Sequence, residues 1–252
     1  MKKNQNFLEW NNGILINSLK KINFDIAIII ALDALFYFLS AYFFIFWFKR
    51  IQEKMAAFNL PADAMSLGYE GAQQLISDAK AFYYLLIFSF VLVLIAIIFI
   101  ASILKGIIWA KTTKTKITFA LISKFLGLNM IWMSFWFLAI FLASYLVKIE
   151  SATRFMAAAI ILGLYFTNTL YTIFMKEQKL KSIIGAVKLN ITKIHLFLLP
   201  YAVMLLLFYV IIRLGNLLKF RYSPVLLGLI ILVYAAVARY YASELAFEIK
   251  KV

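Results

Sequence analysis

Cysteine is absent from all 252 residues, and histidine occurs once. The first absence excludes disulfides, thiol catalysis and cysteine-ligated zinc or iron–sulfur centres. The second leaves a histidine-based metal site or catalytic triad without its members. Acidic residues are few: 11 Asp and Glu stand against 26 Lys and Arg. They are scattered, and no carboxylate pair that could hold a metal or activate water falls within an apolar run. G-x-S-x-G, Walker A and H-E-x-x-H patterns are missing. Strand-like alternation is missing too, which excludes a porin-type barrel. The expectation is a chain that is not an enzyme, with no cofactor and no metal.

What is present is apolar. Hydrophobic residues make up 65% of the chain, against roughly 45–50% in soluble domains. One water-facing core cannot hide that much apolar surface, so the solvent is lipid. The formal charge of +15 is shared by nucleic-acid binders and membrane proteins. Here the bases lie between apolar runs, where membrane topology puts them, so no nucleic-acid partner is expected.

A crossing helix needs about 20 largely apolar residues. Six stretches qualify, at about 26–48, 81–104, 126–147, 155–175, 194–214 and 225–247. The fold class is all-α and polytopic, a single membrane domain over residues 1–252. Residues 1–25 form an amphipathic segment, and 49–80 form an external loop. In that loop Pro61 is placed to open a short helix that Gly68 and Gly71 break, before a helix from Ala72 runs into the second span.

The hexad KTTKTK (Lys111–Lys116) returns as KEQKLK (Lys176–Lys181). Each follows an apolar run. With six spans both termini share a side, and that side carries 17 of the 26 bases. They are Lys2, Lys3, Lys20, Lys21, Lys105, Lys111, Lys114, Lys116, Lys124, Lys176, Lys179, Lys181, Lys188, Lys193, Arg239, Lys250 and Lys251. The positive-inside rule then puts both termini and both hexads in the cytoplasm of a multi-pass cell-membrane protein.

Short amphipathic stretches precede the first, third and fifth spans: GILINSLKKINFD from Gly13, ITFALISKFLG from Ile117 and GAVKLNITKIHLF from Gly185. Each is too short to cross and suits a helix lying in the headgroup layer. Three copies of one unit are expected: an interfacial helix, a span outward and a span back. The basic surface (Lys111, Lys114, Lys116, Lys176, Lys179, Lys181, Lys188 and Lys193) then meets anionic headgroups, at about 1 kcal/mol per lysine. Alternatively it only sets topology.

Ionisable groups inside spans are costly and functional by default. Asp33 lies roughly 12 Å into the first span and Arg239 roughly 16 Å into the last, by helical rise. Their depths match, so an ion pair that clamps the first span to the last is expected. Asn168 and Asn129 fall in the same half of the bundle. The other reading of Asp33, Asn168 and Arg239 is a polar cavity that moves an ion or small substrate. Glu244 is expected at the interface.

The segment KSIIGAVKLNITK, an amphipathic helix leading into a span of a six-helix chain, resembles a group of prokaryotic and archaeal membrane proteins. They are related to the membrane domain of glycerophosphodiester phosphodiesterases. The resemblance implies the fold; the soluble domain with its metal-binding carboxylates is absent, and no functional residue carries over. The functional expectation is a non-catalytic accessory or scaffold protein acting on membrane lipids, or on membrane-protein partners or a second copy, through its basic cytoplasmic face. The alternative is a small transporter or channel.

Overall fold

The computed structural model describes residues 7–56, 68–144 and 146–251. Lys2, Lys3 and the expected helix start at Pro61 lie outside these. The chain runs α1 (Phe7–Lys20), α2 (Asp25–Ala56), α3 (Gly68–Thr112) and α4 (Phe119–Ser144). A 3-10 turn (Ile149–Ser151) leads to α5 (Ala152–Glu177), α6 (Ser182–Thr192), α7 (Ile194–Leu217) and α8 (Ser223–Lys251). No strand occurs among the described residues. Six helices (α2, α3, α4, α5, α7 and α8) are long and apolar enough to cross a membrane. The chain is a polytopic helical membrane protein.

The helices overrun the expected spans, and the expected loop over 49–80 shrinks from both sides. Residues 49–56 extend α2, and α3 starts at Gly68 and passes through Gly71 without a break. A helix interior tolerates one glycine at about 1 kcal/mol, which the apolar turns that follow outweigh. The expected interfacial helix at 117–127 is not separate either. Thr118 caps α4 by accepting the Leu121 N–H on its hydroxyl at 3.1 Å, and nothing after that cap stops the helix. Among the described residues only α1 and α6 are short α-helices of their own.

Both hexads are helix stops. In the first, Lys114 adopts a left-handed φ of 54°. The Thr115 N–H then closes back on the Ala110 carbonyl at 2.8 Å, the long-range bond of a Schellman ending. In the second, Gln178 takes φ 51° and ψ 35° and bonds the Phe174 carbonyl at 2.7 Å. Neither position is a glycine.

By packing, the chain divides into two compact units, Leu35–Ala101 and the remainder (Met1–Ala34 with Ser102–Val252). The smaller unit is the later part of α2 and the earlier part of α3. There Trp47 donates its indole N–H to the Ser89 hydroxyl at 3.0 Å and packs on Phe90.

In the larger unit α5 packs on α4, α6 and α8, while α8 also packs on α1 and α7. One buried cluster joins Trp109 of α3 to Phe125 and Trp132 of α4 and Tyr171 and Phe174 of α5. A second joins Trp10 and Ile14 of α1 to Phe197 of α7 and Leu245 and Ile249 of α8. Lipid tails are as apolar as these side chains, so close packing and polar contacts, not flight from water, hold the spans together. Gly215 shows how close: a Cβ there would sit 2.3 Å from Leu227 Cδ1.

Candidate functional site

The carboxylate of Asp33 is fully buried, and both of its oxygens are taken. Arg239 Nη2 of α8 donates to Oδ2 at 2.8 Å. Lys105 Nζ of α3 donates to Oδ1 at 2.5 Å. The expected Asp33–Arg239 pair therefore forms, with a third member on a third helix. Two cations on one carboxylate leave a formal surplus of one positive charge. The Arg239 guanidinium lies 5.9 Å from the Trp109 ring centroid, which offers it the negative face of an indole. Arg239 Nη1 is buried without a hydrogen-bond partner.

Each helix brings buried neighbours to the site. Ile29 precedes Asp33 by one turn, Ile108 follows Lys105 by one turn, and Ala236 and Tyr240 flank Arg239. These four form one buried cluster. A second contact, Lys111 Nζ to Asp25 Oδ1 at 2.7 Å, repeats the α3-to-α2 pairing about two turns away. Two such rungs make α2 and α3 antiparallel neighbours at this end.

Asn129 belongs to a different node. It donates to the Ser102 hydroxyl at 3.1 Å and accepts from the Tyr171 hydroxyl at 2.5 Å. All three residues are buried, and the bonds tie α3, α4 and α5 together. Asn168 is elsewhere again, with its amide 3.5 Å from the Tyr201 hydroxyl. The structure therefore does not gather Asp33, Asn168 and Arg239 around one polar cavity. Trp109 bridges the two buried nodes, since its other neighbour is Tyr171 at 5.7 Å between ring centroids.

The lysine-rich end is partly self-paired. Glu244, expected at the interface, is buried and paired with Lys21, because α1 and its linker fold over α8. Lys250 bonds Glu177 at 2.5 Å, and Lys251 pairs with Glu248. Lys176 stands over the Phe247 ring at 3.4 Å, and Lys111 is held by Asp25. Lys114, Lys116, Lys124, Lys179, Lys181 and Lys188 are exposed, and Lys193 is half-buried between α6 and α7. A small cavity of about 50 Å³ lies among Lys21, Thr113, Lys114, Tyr240 and Glu244. Among the described residues no group of three His, Asp or Glu comes together as a metal site would require.

Sequence reasoning missed Lys105. It had been assigned to the connection after the second span, yet α3 continues beyond it through Ile107, Ile108, Trp109 and Ala110. The signal was there: an apolar tetrapeptide after a lysine marks a helix that has not yet left the membrane. No family model matches the chain, no curated protein matches it, and no solved structure matches its fold.

Proposed function

We propose that the chain is a non-catalytic membrane scaffold that gathers anionic lipid at its lysine-rich end, with both termini and both hexads on the cytoplasmic side. The observation that carries this reading is the saturated Asp33 carboxylate. Its two oxygens are held by two cations beside an apolar cluster, which is the arrangement of a clamp between α2, α3 and α8. The cations left facing outward are the exposed lysines of the hexads and of α6. The excess of bases on that side supports the orientation.

The test uses protein in nanodiscs of zwitterionic lipid, presented to vesicles of phosphatidylglycerol. Vesicle association is expected to fall steeply as salt rises. It is expected to be lost when Lys114, Lys116, Lys179 and Lys181 become Gln together. Unchanged association in that variant sinks the reading.

One observation favours transport as a second reading. The surplus positive charge and the unpartnered Arg239 Nη1 suit a site that admits an anion. Flux that disappears in Arg239→Gln, in a protein that stays folded, would carry it.

A further inference from the structure

An apolar groove of about 360 Å³ runs between α4, α5 and α6. Its walls are Ile131, Trp132, Phe135 and Trp136 of α4, Phe166 of α5, and Ile183 and Val187 of α6. Such a volume is in the range of sites that hold one small ligand. Ile131 and Phe135 are more than half exposed, so the groove opens sideways along spanning helices, where its neighbour is the bilayer.

Helical register puts Lys124 toward one end of it. Lys124 is exposed and lies seven and eleven residues before Ile131 and Phe135. At 3.6 residues per turn these three project from one face of α4. The rise from Lys124 is about 10 Å to Ile131 and about 18 Å to Trp136. One leaflet's share of the hydrocarbon core is about 15 Å. A headgroup held at Lys124 therefore leaves one acyl chain to fill the groove to its aromatic floor. The helix across the groove suits the same boundary: α6 exposes Ile184, Lys188 and Ile191, an apolar face with a lysine that reaches for headgroups.

We infer that this groove is a binding site for a single anionic phospholipid, with one acyl chain against Trp132, Trp136, Ile183 and Val187 and the phosphate at Lys124. This deepens the lipid-gathering reading and rests on it for the sign of the headgroup. It adds a defined, saturable site on the flank of the bundle.

The probe is phosphatidylglycerol, titrated into detergent-solubilised full-length protein and counted by native mass spectrometry. Phosphatidylcholine is the comparison. The wild-type chain is expected to keep one phosphatidylglycerol at detergent concentrations that strip the rest. Val187→Phe, which fills the groove, is expected to lose that lipid. Lys124→Gln lies on an exposed position and leaves the packing alone. It is expected to keep a lipid but to cut the preference for phosphatidylglycerol over phosphatidylcholine about fivefold.

A mid-chain brominated phosphatidylglycerol gives an independent readout, because it quenches nearby tryptophan. Quenching is expected in the wild type and is expected to disappear in Trp132→Phe/Trp136→Phe. Equal lipid retention and quenching in the wild type and Val187→Phe overturns the proposal. So does a dimer that Val187→Phe dissolves, since the occupant is then a second copy. The two readings fail separately. Vesicle association read on the hexad lysines is unaffected by Val187→Phe. If that association proves independent of salt while the bound lipid persists, the scaffold reading falls and the groove stands.

Discussion

Lys105 donates to Asp33 across 2.5 Å, and so adds a second cation to a carboxylate that Arg239 already neutralises. The three residues are not equivalent. Removing Lys105 leaves a neutral Asp33–Arg239 pair. Removing Asp33 leaves two half-buried cations without the carboxylate they share. Asp33→Asn is therefore expected to cost about 3–5 kcal/mol, while Lys105→Met costs far less. The triple replacement Asp33→Leu, Lys105→Met and Arg239→Met is expected to return close to wild-type stability. Thermal unfolding in one detergent, run on all three variants, decides it; equal losses for Asp33→Asn and Lys105→Met would remove the clamp from the account.

The second buried node makes a smaller claim. Asn129→Leu strands the hydroxyl of Tyr171 in an apolar interior. An expected loss of about 1–3 kcal/mol follows. Tyr171→Phe removes one bond and keeps the ring contacts with Trp109 and Phe125, so about 1 kcal/mol is expected there. The double variant reveals whether the two losses overlap, as they must if both act through Asn129.

Gly215 and Leu227 share one space. A methyl group at Gly215 would overlap Leu227 Cδ1, which forces α7 and α8 apart or bends the leucine away. Gly215→Ala is expected to destabilise by about 1–3 kcal/mol. Leu227→Ala introduced with it should recover part of that loss, and a purely additive double variant would contradict the packing.

The helix stops predict a gain. Lys114 and Gln178 sit in the left-handed region, which costs an ordinary residue about 1–2 kcal/mol. Gln178→Gly is expected to raise the unfolding temperature, and Gln178→Val to lower it. The pair of melts checks the conformation itself, because Gln178 carries no charge and its replacement leaves the basic surface alone.

The spans were legible because a membrane demands long apolar runs and little else resembles them. The Asp33–Arg239 pair was legible for a related reason: two opposite charges at matching depths have few other partners. Lys105 was not legible, because a hydropathy boundary drawn at Leu104 turns the next charge into a loop residue by construction. Asn129 was noticed, but its partners were not. Serine and tyrosine are ordinary in apolar runs, and only the fold shows which hydroxyls an asparagine meets. The interfacial helix expected before the third span failed on a cap. Thr118 starts α4, and an amphipathic pattern says nothing about where the next helix ends.

The shared carboxylate also has an order in time. Asp33 is made first, Lys105 follows 72 residues later, and Arg239 follows Asp33 by 206. The first two spans can thus enter the bilayer as an electrically neutral hairpin, with aspartate and lysine shielding each other while the rest of the chain is still being synthesised. Arg239 arrives after both, on α8, and brings the extra charge only when α2 and α3 are there to meet it. The bond that ties α8 to α2 is one that translation delivers only after both partners of the first pair are made.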